Sequence, residues 1–445
     1  MILVISKIKI VIWSLTIFLL FISFPIQVIF SSPFPSLLPY AFLFILVILN
    51  KKKISIPKSY YKLEFDKIDF FVIIYISLVI IHTFFQITFN LITLNNGFQS
   101  IINFLLPVCF YLYYINYAKE LDFRVMIYTI IFSGIISGVY YLYDSWLMLV
   151  ELKVNDFSLK IAEYQRSRVA SFVNVGGRDT IGYRSHGILS SHSISSAWLC
   201  LSCFGVLALV KKKLSFKRIL IIFSYSVFII FTMNFTAIVA FFLIILFFEL
   251  GLKNIFKLKV QNIKYLIVFL TLIIVSNTLF KNKFPIIDLF NKQLVYKIAL
   301  LSNEKEYHGE EKSITKAFFY SSLNIFKAML DFPIGIIIGD GFSTWGSRKG
   351  GDFGYSETIN RFGIPFYLFM MFAFFLVVKK ALKDLKSPII NQKQREYLVF
   401  SIYTFLYIIL NELHYSIWIN KSILPILFIT LANYKQKNII LRSNE

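Results

Sequence analysis

Residues 36–53 read SLLPYAFLFILVILNKKK, an apolar run about one membrane helix long that ends on three lysines. A helix crossing a ~30 Å hydrocarbon layer needs about 20 residues with few charges, and lysines stacked at its end stay on the cytoplasmic side. The same grammar recurs at Lys211-Lys212-Lys213 and Lys379-Lys380, each abutting a long apolar stretch. Applied to the whole chain, the rule predicts about twelve spans. They fall near 8–30, 36–50, 68–91, 101–118, 125–143, 191–210, 219–233, 236–250, 265–280, 362–378, 397–412 and 417–433.

An even number of spans places both termini on one side. The Lys-rich connections at 51–67, 119–124, 211–218, 253–264 and 379–396 then fall on that side too. About 28 of the 46 Lys and Arg residues lie in segments so assigned to the cytoplasm, whereas the four short outer turns hold only Lys421. The fold expected is all-α: a polytopic transmembrane helical bundle with cytoplasmic termini and two large extracytoplasmic loops. Residues 1–143 would form helices 1–5, 144–190 the first loop, and 191–280 helices 6–9. Residues 281–361 would form the second loop, and 362–445 helices 10–12 with a cytoplasmic tail. The segments 219–233 and 236–250, joined only by Asn234-Phe235, read as a tight helical hairpin or as one bent element that does not span.

Composition agrees. The chain of 445 residues is 57% hydrophobic and 16% charged, well below the ~25% charged residues of soluble domains. Its formal charge of +22 would suggest nucleic acid in a soluble protein, but lysines packed against spans serve orientation instead, and no nucleic-acid partner is expected. Cys109, Cys200 and Cys203 all fall inside spans, so Cys200-x-x-Cys203 reads as packing rather than redox or zinc chemistry. The apolar segment from Ile8 to Phe30 is too long for a signal-peptide core and reads as a retained first helix. No internal repeat of the carrier type is visible.

The first outer loop opens on Asp144-Ser145-Trp146 and ends in a basic run holding Arg166, Arg168, Arg178, Arg184 and His186, with His192 at the start of the sixth helix. Arginine dominates here, whereas lysine dominates on the cytoplasmic side. Guanidinium forks bind phosphate oxygens bidentately and stay charged at any relevant pH, which suits a diphosphate at a membrane surface. The alternative is that these arginines only snorkel toward lipid headgroups. The second loop carries an amphipathic stretch, 313–332, expected to lie at the outer surface and to stop at Pro333. A flexible glycine-rich stretch follows, from Gly335 through Gly354. Gly339-Asp340-Gly341 lacks the Lys-Ser/Thr of a phosphate-binding loop, and no metal-ligand spacing appears, so neither nucleotide nor metal is expected. His308 lies in a charged run that reads as a solvated loop. Trp146, Trp198 and Trp418 are expected at interfaces, and Trp345 in the glycine-rich loop is a candidate for stacking on a sugar.

Three groups of residues together carry a resemblance. Arg184-Ser-His-Gly187 resembles the Arg-x-x-Gly element preceding a membrane helix in O-antigen and capsule polymerases of the Wzy type and in the related O-antigen ligases. Phe332-Pro333-Ile-Gly335, Gly339-Asp340-Gly341-Phe342 and Asp352-Phe-Gly-Tyr355-Ser-Glu357-Thr-Ile-Asn-Arg361-Phe-Gly363-Ile364 are similar to that family's second signature, with Asp352 at the position of its His or Asp. Asn411-Glu412-Leu-His414 in the last outer turn is a looser likeness. Asp352 stands where ligases carry histidine and Ser356 where the pattern prefers leucine, so the resemblance points to a polymerase before a ligase.

The resemblance implies an inverting, metal-independent and cofactor-free glycosyltransferase of the bacterial inner membrane. It would join oligosaccharide units carried on undecaprenyl diphosphate, in contact with membrane lipid, and work alongside a flippase and a chain-length regulator. The roles implied are a diphosphate clamp at Arg184, assisted by Arg166, Arg168 or Arg178, and a base at Asp352 or His192. His186, Tyr355, Glu357, Arg361, Glu412 and His414 would line the pocket or orient the acceptor. Two alternatives stand beside this reading. One is a ligase moving finished glycan to another acceptor; the other is a non-enzymatic transporter or flippase of the lipid-linked sugar.

Overall fold

The computed structural model describes residues 2–50, 67–118, 120–149, 155–161, 187–189, 191–210, 216–232, 234–249, 333–339, 354–387, 390–413 and 416–443. Among them the regular elements are helical: α1 (Ile2–Phe30), α2 (Leu38–Asn50), α3 (Lys67–Thr88), α4 (Leu94–Leu105), α5 (Val108–Tyr117), α6 (Glu120–Leu149), α7 (His192–Leu209), α8 (Phe216–Phe231), α9 (Phe235–Ile244), α10 (Pro333–Ile338), α11 (Gly354–Asp384), α12 (Gln392–Asn411) and α13 (Leu424–Ser443). Six helical stretches among the described residues are long and apolar enough to cross a membrane: Lys7–Phe30, Ile68–Thr88, Leu94–Tyr117, Leu121–Leu147, His192–Leu209 and Gly354–Asp384. Every expected span that falls on described residues carries helix. The stretches 265–280 and 313–332 lie outside the described residues.

Several boundaries differ from the expectation, each for a local reason. Helix α6 continues to Leu149, so Asp144-Ser145-Trp146 is helical rather than the opening of a loop. Asp144 is fully buried, and the Ser158 hydroxyl lies 3.1 Å from each of its carboxylate oxygens. Helix α11 begins at Gly354 rather than 362, because a hydropathy boundary marks where apolar residues start and not where helical hydrogen bonding starts. Pro333 opens a helix, as proline can at a first helical position; whether 313–332 stops there lies outside the described residues. The last helix begins at Leu424 rather than 417. Ile417–Ile419 is a separate 3₁₀ turn, after which the Asn420 side chain accepts from the Ser422 N–H at 2.9 Å. Trp198 and Trp418 are each 0% exposed and belong to the core rather than to an interfacial belt.

Helix α7 lies at the centre. Of its span 83% is buried, against 50% or less for the other five, and α6, α8, α9 and α12 pack around it. Cys200 and Cys203 are buried there and form no disulfide among the described residues, in keeping with a packing role. Close approach of α6 depends on Gly134-x-x-x-Gly138. A Cβ at Gly134 would stand 2.2 Å from the Ser202 Cβ, and one at Gly138 would stand 2.7 Å from the Phe228 ring. Small residues four apart let helix backbones approach, which recovers dispersion contacts where lipid supplies no hydrophobic drive between helices.

Polar ties collect at the two ends of the bundle. At one end Lys9 Nζ donates to Asn50 Oδ1 at 2.6 Å, and Arg124 reaches Glu396 at 2.6 Å. Asp69 pairs with Lys435 and accepts from the Tyr111 hydroxyl, and Tyr434 donates to Asp384. All of these side chains lie in or beside stretches that the charge rule sorts to the same side. The opposite end holds His82, Gln86, Arg361 and Glu412.

Candidate functional site

The Glu412 end is built on two glycines that let α10 cross α11. Gly363 interrupts α11 with φ 82 and ψ 168, a conformation reserved for glycine. A Cβ there would lie 2.2 Å from the Ile337 carbonyl oxygen. Gly339, just after α10, has φ 68, and a Cβ on it would lie 2.6 Å from the backbone of Arg361 and Phe362. The two backbones therefore touch, and the first part of α11, residues 354–362, sits as a separate arm ahead of the apolar part.

That arm is held at its other end by α12. The last carbonyls of a helix and the first N–H groups of another are both unsatisfied within their own helices. Here they meet: the Tyr355 N–H donates to the Glu412 carbonyl at 2.9 Å. The side chains repeat the tie. Ser416 Oγ donates to Glu412 Oε1 at 2.8 Å and lies 2.5 Å from Thr358 Oγ1. Glu412 thus faces the start of α11, where partial positive charge favours a carboxylate. It is 2% exposed, while Leu413, the next residue, is 59% exposed, so the carboxylate lies just below the surface.

Arg361 projects from the same arm. Its guanidinium sits over the Phe104 ring, 5.7 Å from the centroid, and its Nη2 is 3.8 Å from Glu357 Oε1. The second distance is too long for a hydrogen bond. The buried Nε has no hydrogen-bond partner among the described residues. Arginine offers five donors in a fixed fork, and this one lies over an aromatic face with its Nε open among the described residues.

Further polar groups lie near Glu412. Its Oε2, both polar atoms of the Asn411 amide, the Tyr407 hydroxyl and Trp418 Nε1 are buried without a close, well-aligned hydrogen bond among the described residues, although Trp418 and Thr358 stand beside Glu412 and Asn411 stands beside Tyr407. Tyr407 lies beside Cys200, Ser196 and Asn411, and Ser196 in turn accepts from Asn234 Nδ2 at 3.0 Å. That bond buries the α8–α9 turn, whose Asn234 side chain also caps α9 at Ala237. Each buried polar group left unbonded costs about 1–3 kcal/mol, and folded proteins hold few of them. Glu412 with Trp418, and Tyr407 with Asn411, make a polar niche at this end suited to water or to hydroxyl groups of a guest.

The structure brings together four of the expected site residues: Tyr355, Glu357, Arg361 and Glu412. His192, half-buried, opens α7 after the cap made by Ser191. Arg166, Arg168, Arg178, Arg184, His186, Asp352 and His414 lie outside the described residues, as does Trp345. Sequence reasoning passed over His82 and Gln86, which are 4% and 2% exposed on α3 and reach the crossing. Their spacing of four within an apolar helix, which puts them on one face, was a usable signal. No cluster of potential metal ligands occurs among the described residues. No protein-family model and no curated protein matches the chain.

Proposed function

We propose that this chain is an integral membrane glycosyltransferase that polymerises lipid-linked oligosaccharide units, with the Glu412 end of the bundle facing away from the cytoplasm. The observation that supports the reading is the arm 354–362. It brings Arg361, whose Nε is unpartnered among the described residues, and, through the Tyr355 N–H, the buried Glu412 to the same end of the bundle. Transfer of a sugar from a diphosphate carrier needs positive charge for the departing oxygens and a base for the acceptor. In this proposal the acceptor hydroxyl oxygen attacks the anomeric carbon from the face opposite the diphosphate. The bond to the diphosphate breaks, its electron pair leaves with the phosphate oxygen, and the hydroxyl proton passes to the base. Arg184 and Arg361 hold the diphosphate, with Arg166, Arg168 or Arg178 assisting. Asp352 or His192 takes the proton, and Glu412 orients the acceptor through Oε2. Tyr355, Glu357, His186 and His414 complete the pocket.

Deletion in the native organism followed by glycan gel analysis tests the reading. A polymerase deletion leaves single capped repeat units. Bare core with accumulating lipid-linked polymer would assign a ligase instead, and loss of both products would assign a flippase. Arg184→Ala, Arg361→Ala and Glu412→Gln, each present in the membrane at normal level, should lose long chains. Unchanged chain length in all three removes the site.

A further inference from the structure

We propose that Gln86 is the positioning residue of this site, holding the arm of α11 at its working angle through both hydrogens of one carboxamide. The functional half of this inference rests on the glycosyl-transfer reading; the geometric half does not. Two carbonyls at the crossing have no helical donor. Ile338 ends α10. The donor that a continuous helix would offer the Arg361 carbonyl is the N–H four residues on, and residue 365 is proline, which has none. Buried carbonyls without a partner are rare because they forfeit water and gain nothing. Gln86 Nε2 satisfies both, donating to the Ile338 carbonyl at 2.8 Å and to the Arg361 carbonyl at 2.7 Å. His82, one turn earlier on the same face, places Nδ1 3.2 Å from the Ile338 oxygen and its ring against Phe366.

The clamp acts where direction matters. Gly363 and Gly339 permit the crossing but do not fix its angle, since glycine is the residue with most backbone freedom. One of the two carbonyls that Gln86 grips belongs to Arg361 itself, so the anchor and the guanidinium share a residue. Beyond it the arm carries Glu357 and leads to the tie between the Tyr355 N–H and the Glu412 carbonyl. Loss of the clamp leaves the arm held by its tie to Glu412 and by Phe362 on the Phe104 ring, with His82 still on the Ile338 carbonyl, and frees Arg361 to swing off the Phe104 face.

The test uses the full chain in lipid nanodiscs, with Gln86→Ala and the similarly long but donor-free Gln86→Met. Amide hydrogen exchange in peptides covering 354–367 should rise about tenfold in both variants, while peptides covering 392–411 stay as in the parent. With a lipid-linked repeat unit as substrate, the apparent KM should rise about tenfold at an unchanged maximal rate per folded molecule, because binding geometry and not chemistry is lost. A merely structural role would lower the amount of folded protein and leave KM alone, and that result overturns the inference. Unchanged exchange in both variants overturns it as well. Arg361→Ala run alongside separates the two readings. Normal glycan in Arg361→Ala with faster exchange in Gln86→Ala refutes the transfer site and keeps the clamp. Short glycan in Arg361→Ala with unchanged exchange in Gln86→Ala refutes the clamp alone.

Discussion

Gly363→Ala should be among the most damaging single-methyl additions in the molecule. The residue has φ 82 and ψ 168, and holding a residue with a side chain in that region costs about 1–3 kcal/mol. The new Cβ would stand 2.2 Å from the Ile337 carbonyl oxygen and 2.5 Å from its carbon. Relief to ordinary contact requires α10 and α11 to separate by about 1 Å, since the obstacle is backbone and cannot rotate away. The same separation would stretch both the Gln86 bond to Ile338, now 2.8 Å, and the longer His82 contact at 3.2 Å past hydrogen-bonding range, a further ~1–3 kcal/mol for the buried carbonyl. The sum is about 2–6 kcal/mol. Gly205→Ala supplies the control. There the Cβ would meet the Ile127 Cγ2 at 3.0 Å, a side-chain atom that can shift, and alanine is favoured over glycine inside a helix by about 1 kcal/mol. Thermal unfolding of the two purified variants in the same detergent, with glycan chain length in complemented cells, gives the comparison. Gly363→Ala matching Gly205→Ala in stability and keeping long chains would refute the close crossing.

At the opposite end the Arg124–Glu396 pair predicts an asymmetry. Glu396 is 2% exposed and Arg124 30%, so Arg124→Ala strands a buried carboxylate, whereas Glu396→Gln leaves a half-solvated guanidinium. The first should cost about 2–3 kcal/mol, below the range for fully buried pairs because the arginine is partly screened, and the second under about 1 kcal/mol; equal losses in thermal unfolding would contradict this. Orientation is testable by labelling single cysteines with an impermeant maleimide. Ser347→Cys should react from outside the cell and Ser387→Cys only after the membrane is opened, and the same accessibility at both positions would overturn the topology.

The helices were legible because an apolar run of helical length has few other ways to satisfy its backbone away from water. What escaped was polar helix attached to apolar helix. Asp144 and residues 354–361 extend α6 and α11 into stretches whose hydropathy reads as loop. Glu412 was visible as an acid at the end of an apolar run, and the structure adds its partners, Ser416 and the Tyr355 N–H. Gly339 and Gly363 read as flexibility and as part of a family-like signature. That they touch is a tertiary fact, since neither spacing nor composition tells two distant glycines apart from two turns. Gln86 was missed for the converse reason: one amide in an apolar helix looks incidental until the carbonyls it serves are in view.

The distribution of polar groups also bears on passage versus surface chemistry. A carrier places ionisable or unwound elements between its helices near the membrane midplane, where the cargo changes sides. Here the hydroxyls along the helices mostly bond to carbonyls of their own helix: Ser133 to Thr129, Ser226 to Ile222, Ser401 to Tyr397 and Thr430 to Ile426, all at 2.7–2.8 Å. Such hydroxyls are already satisfied and offer a moving sugar little. Among the described residues, unpartnered polar atoms occur around Glu412, Asn411 and Arg361 and also at the Thr83, Ser137 and Thr404 hydroxyls within the helices, with the ion pairs of Asp69 and Glu396 closing the opposite end. Among the described residues the ion pairs and the Glu412 carboxylate thus stand at the two ends of the bundle, an arrangement that suits the proposed reaction at the Glu412 end.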